Sequence, residues 1–285
     1  MIRLLSVRLL QAVMVALLVG ALTFLSVIVQ RGASVPADES MASLFLRWML
    51  VMIVDPGTSM ISGESVVGSV AQALGHSITL AVSAMVLSLL IGPALGVMAG
   101  LRPAGRLDRI LLFLSAATRA TPPFVLGIIL LMIFAVALGV SPRGGHGTWA
   151  QAILPTVTLA LGLATMSSQV ARDATLAVIS SPHYAPRQRA GLSAFGALRQ
   201  HGLRDIAGPL AIGLGVQWVY LIEGIVIVET LFSWPGIGRG LVHAIVQRDV
   251  PMVQGAALAI GLMFVMFKTM GDLASHAVHA RRSAS

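Results

Sequence analysis

Apolar residues in this 285-residue chain gather into six long runs, and the short stretches between them hold most of the charge. The first run, Leu9 to Val29, is long enough at about 20 residues to cross about 30 Å of hydrocarbon as a helix. A secretory signal peptide is the competing reading, but its apolar core would be shorter, and Gln30, Arg31 and Gly32 follow here instead of a small-residue cleavage site. The second run, His76 to Gly100, carries Pro93 and is expected to bend there. The third, Ile110 to Val140, is broken at Thr121, Pro122 and Pro123, so it reads as a bent helix whose freed carbonyls face protein or a wet cavity rather than lipid. The fourth starts near Ile153, contains Pro155 and continues to Arg172 and Asp173. The fifth occupies Pro209 to Leu231 and the sixth Val253 to Val278.

Two shorter patterns fall between the spans. Leu44 to Val54 is too short to cross, and with Arg47 and Trp48 it suits an amphipathic helix at the interface. In FSWPGIGRGLVHAIVQRDVP the turn residues Pro235, Gly236, Gly238 and Gly240 precede a short helical pattern with Leu241, Ala244 and Ile245 on one face.

Charge orients the spans. Arg3 and Arg8 precede the first, Arg102, Arg106 and Arg109 outnumber Asp108 after the second, and His279, Arg281 and Arg282 follow the sixth. The positive-inside bias therefore puts both termini in the cytoplasm, with SPRGGHGTW and the segment from Phe232 to Pro251 outside. Composition agrees with an all-α integral membrane protein: 56% of residues are hydrophobic and 11% charged, and mean hydropathy is +0.90. A net charge of +8 in a soluble domain would suggest nucleic acid, but here it is distributed among loops between spans, so no nucleic-acid partner is expected. The chain has no cysteine, which excludes disulfides and thiolate metal sites.

The largest polar interruption is HYAPRQRAGLSAFGALRQHGLRDIAGPL, residues 183–210, where Arg187, Arg189, Arg199 and Arg204 face one carboxylate, Asp205. It cannot cross a bilayer, and on the cytoplasmic side it is the largest surface available to a soluble partner. Read alone, it is also consistent with an ordinary basic loop obeying the charge bias.

Two carboxylates lie in the fifth run. Buried charge in a span is costly and is a functional hypothesis by default. Glu229 sits near the outer end, where capping of the following turn competes with a pathway role. Glu223 is deeper and about 120° away on the helix; it either lines a pathway or holds this helix against a partner. His243, His276 and His279 lack a third ligand at suitable spacing, so no metal site is expected. The chain lacks a GxxxxGK[ST] phosphate loop. A membrane-embedded hydrolase would need a nucleophile with a base, or paired aspartates, and Asp272 has no such partner in the predicted spans.

Several stretches, spread from the first span to the last, resemble the permease subunits of binding-protein-dependent ABC importers. The basic segment with Gly191 and its following apolar-Pro is similar to their cytoplasmic loop. LLQAV after two arginines, TPPF, ILPTVTLALGL and above all ETLFSWPGIGRGLVHAIVQRDVPMVQG resemble the dipeptide, oligopeptide and nickel permease branch. Two stretches depart from that pattern: Pro186, Arg187 and Gln188 lead into the glycine, and the tail after Asp272 reads ASHAVHARR.

The resemblance implies a type I ABC importer permease-like fold in the cell inner membrane, with residues 1–75 as an N-terminal helix and extracytoplasmic segment. Residues 76–280 would form the permease domain and 182–206 its coupling loop. It implies ATPase contacts at Tyr184, Arg189, Ala190, Gly191 and Leu192, where glycine permits a sharp turn. It also implies a substrate pathway near Glu223, Glu229, Pro122 and Pro123, and binding-protein docking at Arg239, His243 and Arg248. The segment that carries those last three residues reads equally as a re-entrant plug. The expected partners are a second homologous permease, two cytoplasmic ABC ATPases, an extracytoplasmic substrate-binding protein and membrane lipid. No cofactor is expected in this chain, since ATP and Mg would be bound by the ATPases. The expected function is ATP-driven import by alternating access of a peptide-type or nickel-type substrate. The alternatives are a permease for another small solute, such as a metal chelate, and a membrane-embedded enzyme.

Overall fold

The computed structural model describes residues 2–31, 40–54, 56–121, 123–137, 149–181, 196, 198 and 202–283. Among them the elements are α1 (Ile2–Arg31), α2 (Met41–Val54), α3 (Val66–Leu101), α4 (Arg106–Ala120), α5 (Pro123–Leu131) with a π-helical turn at Met132–Ala137, α6 (Trp149–Ile179), α7 (Leu203–Leu231), α8 (Ile237–Gln247) and α9 (Val250–Ser283). The regular structure is thus helical, with one isolated antiparallel bridge, Thr58 to Ser65.

Several helices run past the limits of the apolar runs. α3 starts at Val66, not near His76, because Val66 to Gly75 contains no proline and its Ser69 and Gln72 end an apolar run without ending a helix. α7 starts at Leu203 and takes in Pro209, with Asp205 complementing the positive helix N-terminus in the first turn. α9 starts at Val250, where Pro251 falls in the first turn and lacks only an N–H that would be unpaired anyway. Thr121 ends α4 in extended conformation, as the residues before a proline pair favour.

Among the described residues five helices are long and apolar enough to cross a membrane, and α4 with α5 makes a sixth when its two arms count as one span. Those arms diverge by 111° about the Thr121–Pro123 break, so the bend expected from the prolines is present. On α1, Leu9, Met14, Leu18 and Leu22 are each more than half exposed, a surface that only lipid solvates well.

The chain forms two compact units: Met1–Thr79 with Ser233–Met266, and Leu80–Phe232 with Phe267–Ser285. In the first unit, Phe24 of α1 meets Phe45 and Trp48 of α2 with ring centroids 5.4 and 5.6 Å apart. Val15 of α1 lies against Gly261 of α9, and Gly255 of α9 lies against Val66 and Val70 of α3.

In the second unit α6 packs on α4, α5 and α7. It meets α3 along a seam of small residues. Gly92, Gly96 and Gly100, four apart and therefore on one face, lie on Ala164 and Ser167, on Ser168 and Ala171, and on Arg172 and Thr175. A Cβ at Gly96 would stand 2.8 Å from the Ala171 Cβ, and one at Gly100 would stand 2.7 Å from the Thr175 Cβ. Without a hydrophobic drive between helices in lipid, such close backbone approach supplies the packing energy. The hydroxyls in the seam are satisfied locally: Ser167 donates to the Leu163 carbonyl at 3.1 Å and Thr175 to the Ala171 carbonyl at 2.7 Å. α9 crosses α7 in the same way, with Gly271 on Gly215 and Trp218 stacked on Phe267 at 4.2 Å.

Candidate functional site

α7 divides cleanly into two faces. Gln217, Trp218, Leu221, Ile222, Ile225, Val228 and Glu229 are buried within the chain. Ile212, Val216, Tyr220, Glu223, Ile227 and Thr230 are exposed, at steps of four, four, three, four and three residues, which is one helical stripe. Glu223 sits in that stripe roughly 12 Å along the helix from its end at Leu231. A carboxylate at that depth is not solvated by acyl chains, so the stripe faces water or protein rather than lipid. Glu229 is 0% exposed and engaged within the chain, so of the two glutamates one is enclosed and the other exposed. Pro123 opens α5 at the bend, and Pro122 lies outside the described residues.

The segment after α7 is fixed by polar contacts inside the first unit. The Trp234 indole N–H donates to the His76 carbonyl at 3.2 Å, and the Ile237 N–H donates to the buried Ser77 hydroxyl at 2.8 Å. Arg239 is half-buried and donates to the Ser233 carbonyl at 2.8 Å, bracing a turn in which Ser233 has φ 55°. His243 and Arg248 are exposed. Arg248 ends α8 in the left-handed region at φ 56°.

Asp249, next in the chain, is buried and accepts from the Ser59 hydroxyl and from the Met60 N–H at 3.2 Å. It also accepts, more weakly, from the Met252 N–H at 3.4 Å, as an N-cap of α9. The face expected from Leu241, Ala244 and Ile245 is not uniformly buried: Ala244 is buried and Ile245 is 56% exposed.

The turn joining α3 to α4 is tied to α6. Asp108 accepts from the Ala104 N–H at 2.9 Å, where Ala104 has φ 62°, and from both Nε and Nη2 of Arg172, the latter at 3.0 Å. The remaining Arg172 nitrogen, Nη1, reaches Asp173 at 3.0 Å. The segment that follows α6, with Tyr184, Arg189, Ala190, Gly191 and Leu192, lies outside the described residues. Among the described residues no group of three or more His, Asp or Glu is placed to hold a metal ion.

Residues 92–284 match the family described as "Binding-protein-dependent transport system inner membrane component". This chain belongs to that family. The family member is 30% identical over 243 residues to the glutathione transport system permease protein GsiC of Salmonella paratyphi A (strain ATCC 9150 / SARB42), covering 85% of this chain and 79% of that one. It is 33% identical over 246 residues to the probable peptide ABC transporter permease protein y4tP of Sinorhizobium fredii (strain NBRC 101917 / NGR234), covering 83% and 79%. The permease resemblance read from the sequence is therefore correct. The chain is a multi-pass inner-membrane permease subunit, a transport component and not an enzyme.

Sequence reasoning missed three features of this permease. It read Asp108 only as a counter-charge and Arg172 only beside Asp173, because an ion pair 64 residues apart leaves no local pattern. It did not single out Gly92, Gly96 and Gly100, although their spacing of four was a visible signal. It passed over Lys268, half-buried in α9, since one lysine barely moves the hydropathy of a long window.

Proposed function

We propose that this permease subunit imports a peptide-type substrate by alternating access, with the exposed stripe of α7 forming part of the pathway wall. Glu223 carries the reading: it is an exposed carboxylate deep in a span, in a stripe otherwise made of Tyr220, Thr230 and three aliphatic residues. Sinorhizobium and Salmonella relatives named for peptide and glutathione transport support a peptide-type cargo. In this reading the transport domain comprises residues 76–280. The loop 182–206 docks on two ATPases that hold ATP and Mg, with Tyr184, Arg189, Ala190, Gly191 and Leu192 at the contact. A second homologous permease completes the pathway, and an extracytoplasmic binding protein delivers cargo.

The absence of native cysteine makes the stripe directly testable. In the assembled, ATP-bound complex, Glu223→Cys and Ile227→Cys are expected to react with a membrane-impermeant maleimide, whereas Val228→Cys is protected. Glu223→Leu is expected to lower uptake by about tenfold while the amount of complex stays constant, from loss of roughly 1.4 kcal/mol of polar stabilisation in the pathway. Labelling of Glu223→Cys in the isolated chain but not in the complex would instead place Glu223 against the second permease.

The segment around α8 docks the binding protein. His243 and Arg248 are the exposed polar groups there and Arg248 the charge best placed to steer it, since Arg239 also braces its own turn. His243→Glu with Arg248→Glu is expected to reduce binding-protein-stimulated ATP hydrolysis at low salt, with basal hydrolysis unchanged. The defect should shrink above about 0.5 M salt, where screening acts within a few ångströms. Unaltered stimulation at low salt would leave the segment as a plug.

A further inference from the structure

Residues 182–206 join α6 to α7, so a displacement of that segment enters the bundle through these two helices, and of the two it is α6 that an ion pair ties to α4. Arg172 lies two turns before the α6 end at Ile179. Its guanidinium meets both oxygens of Asp108 through Nε and Nη2, a planar fork that fixes orientation as well as distance. Asp108 is 2% exposed, and its second oxygen also accepts the Ala104 N–H, so one carboxylate holds α6, the first turn of α4 and the α3–α4 turn together.

The two sides of α6 are built differently. Toward α3 the contact is glycine against backbone and small side chains, with Ser88 and Ser167 hydroxyls 3.4 Å apart. Toward α4 it is polar along its length: Ser115 donates to the Thr165 carbonyl at 3.4 Å, Thr118 and Thr165 hydroxyls lie 3.0 Å apart, and Arg119 donates to Gln169 at 2.9 Å. These hydroxyl and amide groups have alternative partners within their own helices, as Thr118 does at the Leu114 carbonyl, 3.0 Å away. The Arg172–Asp108 fork is the charged, buried contact at the head of this seam, and α4 is the first arm of the helix that turns at Thr121–Pro123.

We propose that Arg172 and Asp108 are a positioning pair that makes α4 follow α6 when the ATPase-docking segment moves, so that ATP-driven motion reaches the bend beside the pathway. The proposal rests on the import reading above. Lysine at position 172 would keep the charge but replace the fork by a single pivot. α4 would then lag behind α6 although the complex still assembles.

The test uses the whole complex in proteoliposomes, with uptake and ATP hydrolysis measured together, and begins with the unaltered protein. Absence of ATP-driven uptake there would refute the import reading itself. Given coupling in the unaltered complex, Arg172→Lys and Asp108→Asn are expected to keep hydrolysis within about twofold while uptake per ATP falls at least about fivefold. Thr118→Cys with Thr165→Cys, oxidised in a chain that has no other cysteine, joins α4 to α6 by another route. In the Arg172→Lys background this disulfide is expected to restore uptake per ATP, and reduction to abolish the rescue. The proposal is overturned if Arg172→Lys couples normally, if uptake and hydrolysis fall together in proportion to assembled complex, or if the disulfide forms without restoring coupling.

Discussion

Gly96→Leu is expected to leave almost no folded chain in the membrane. A Cβ at Gly96 would stand 2.8 Å from both the Ala171 Cβ and the Ser168 carbonyl carbon, and closer still to the Ser168 carbonyl oxygen. Two of these three atoms are backbone, so no rotamer change relieves the clash and α3 must move away from α6. Separating the helices forfeits the close contacts at Gly92 and Gly100 as well, since all three lie on one face. Overpacking a core with flexible neighbours costs about 1–3 kcal/mol. Against backbone, and repeated along the seam, the loss for leucine is expected to exceed that range, with alanine falling inside it. Gly162 on α6 has no atom within 4 Å of its would-be Cβ and supplies the control. Gly162→Ala should be neutral, or stabilising by up to about 1 kcal/mol through helix propensity. Membrane-inserted amount and thermal unfolding in detergent measure both; a Gly96→Leu protein that accumulates and melts like the parent would refute the seam.

The second large effect is expected at Asp249, whose charge looks from the sequence like one more loop residue. Asp249→Ala leaves the Ser59 hydroxyl and the Met60 and Met252 N–H groups without their acceptor. An unpaired buried donor costs about 1–3 kcal/mol, and loss of an N-cap alone costs about 0.5–2 kcal/mol. The Met252 contact is long, so a combined loss of about 3 kcal/mol is expected, with Asp249→Asn intermediate because its amide oxygen still accepts. The turn from Gly57 to Ser65 should then detach from the start of α9. Val66→Cys, at a position fully buried in the folded chain, gives the readout. Its thiol should be protected in the parent and reactive in the Asp249→Ala background. Equal protection in both would show that the turn is held by other contacts.

The membrane architecture was legible because hydropathy is additive along a segment and the chain's charges fall between the runs. What hydropathy marks, however, is where lipid begins, not where a helix begins. Hence the first ten residues of α3 and the first six of α7 fall outside the apolar runs although both stretches are helical. The bend at Thr121–Pro123 could be read because proline acts through local backbone geometry. The pairs Arg172–Asp108 and Ser59–Asp249 could not, since each joins residues that only the tertiary fold brings together. Glu223 and Glu229 fall between these cases. The angle between them follows from helix geometry, but which one the chain would enclose depended on the tertiary packing around α7.

The small-residue seam also has a consequence for biogenesis. Ser88 and Ser167, which share a hydrogen bond at 3.4 Å across it, are separated by 79 residues. At ribosomal speeds of about 5–20 residues per second, roughly 4–16 s pass between the synthesis of one wall of the seam and the other. During that interval α3 is already long and apolar enough to enter the bilayer, yet its glycine face has no partner. The packing partner of that face enters the bilayer only with α6, so this seam closes late in the synthesis of the chain.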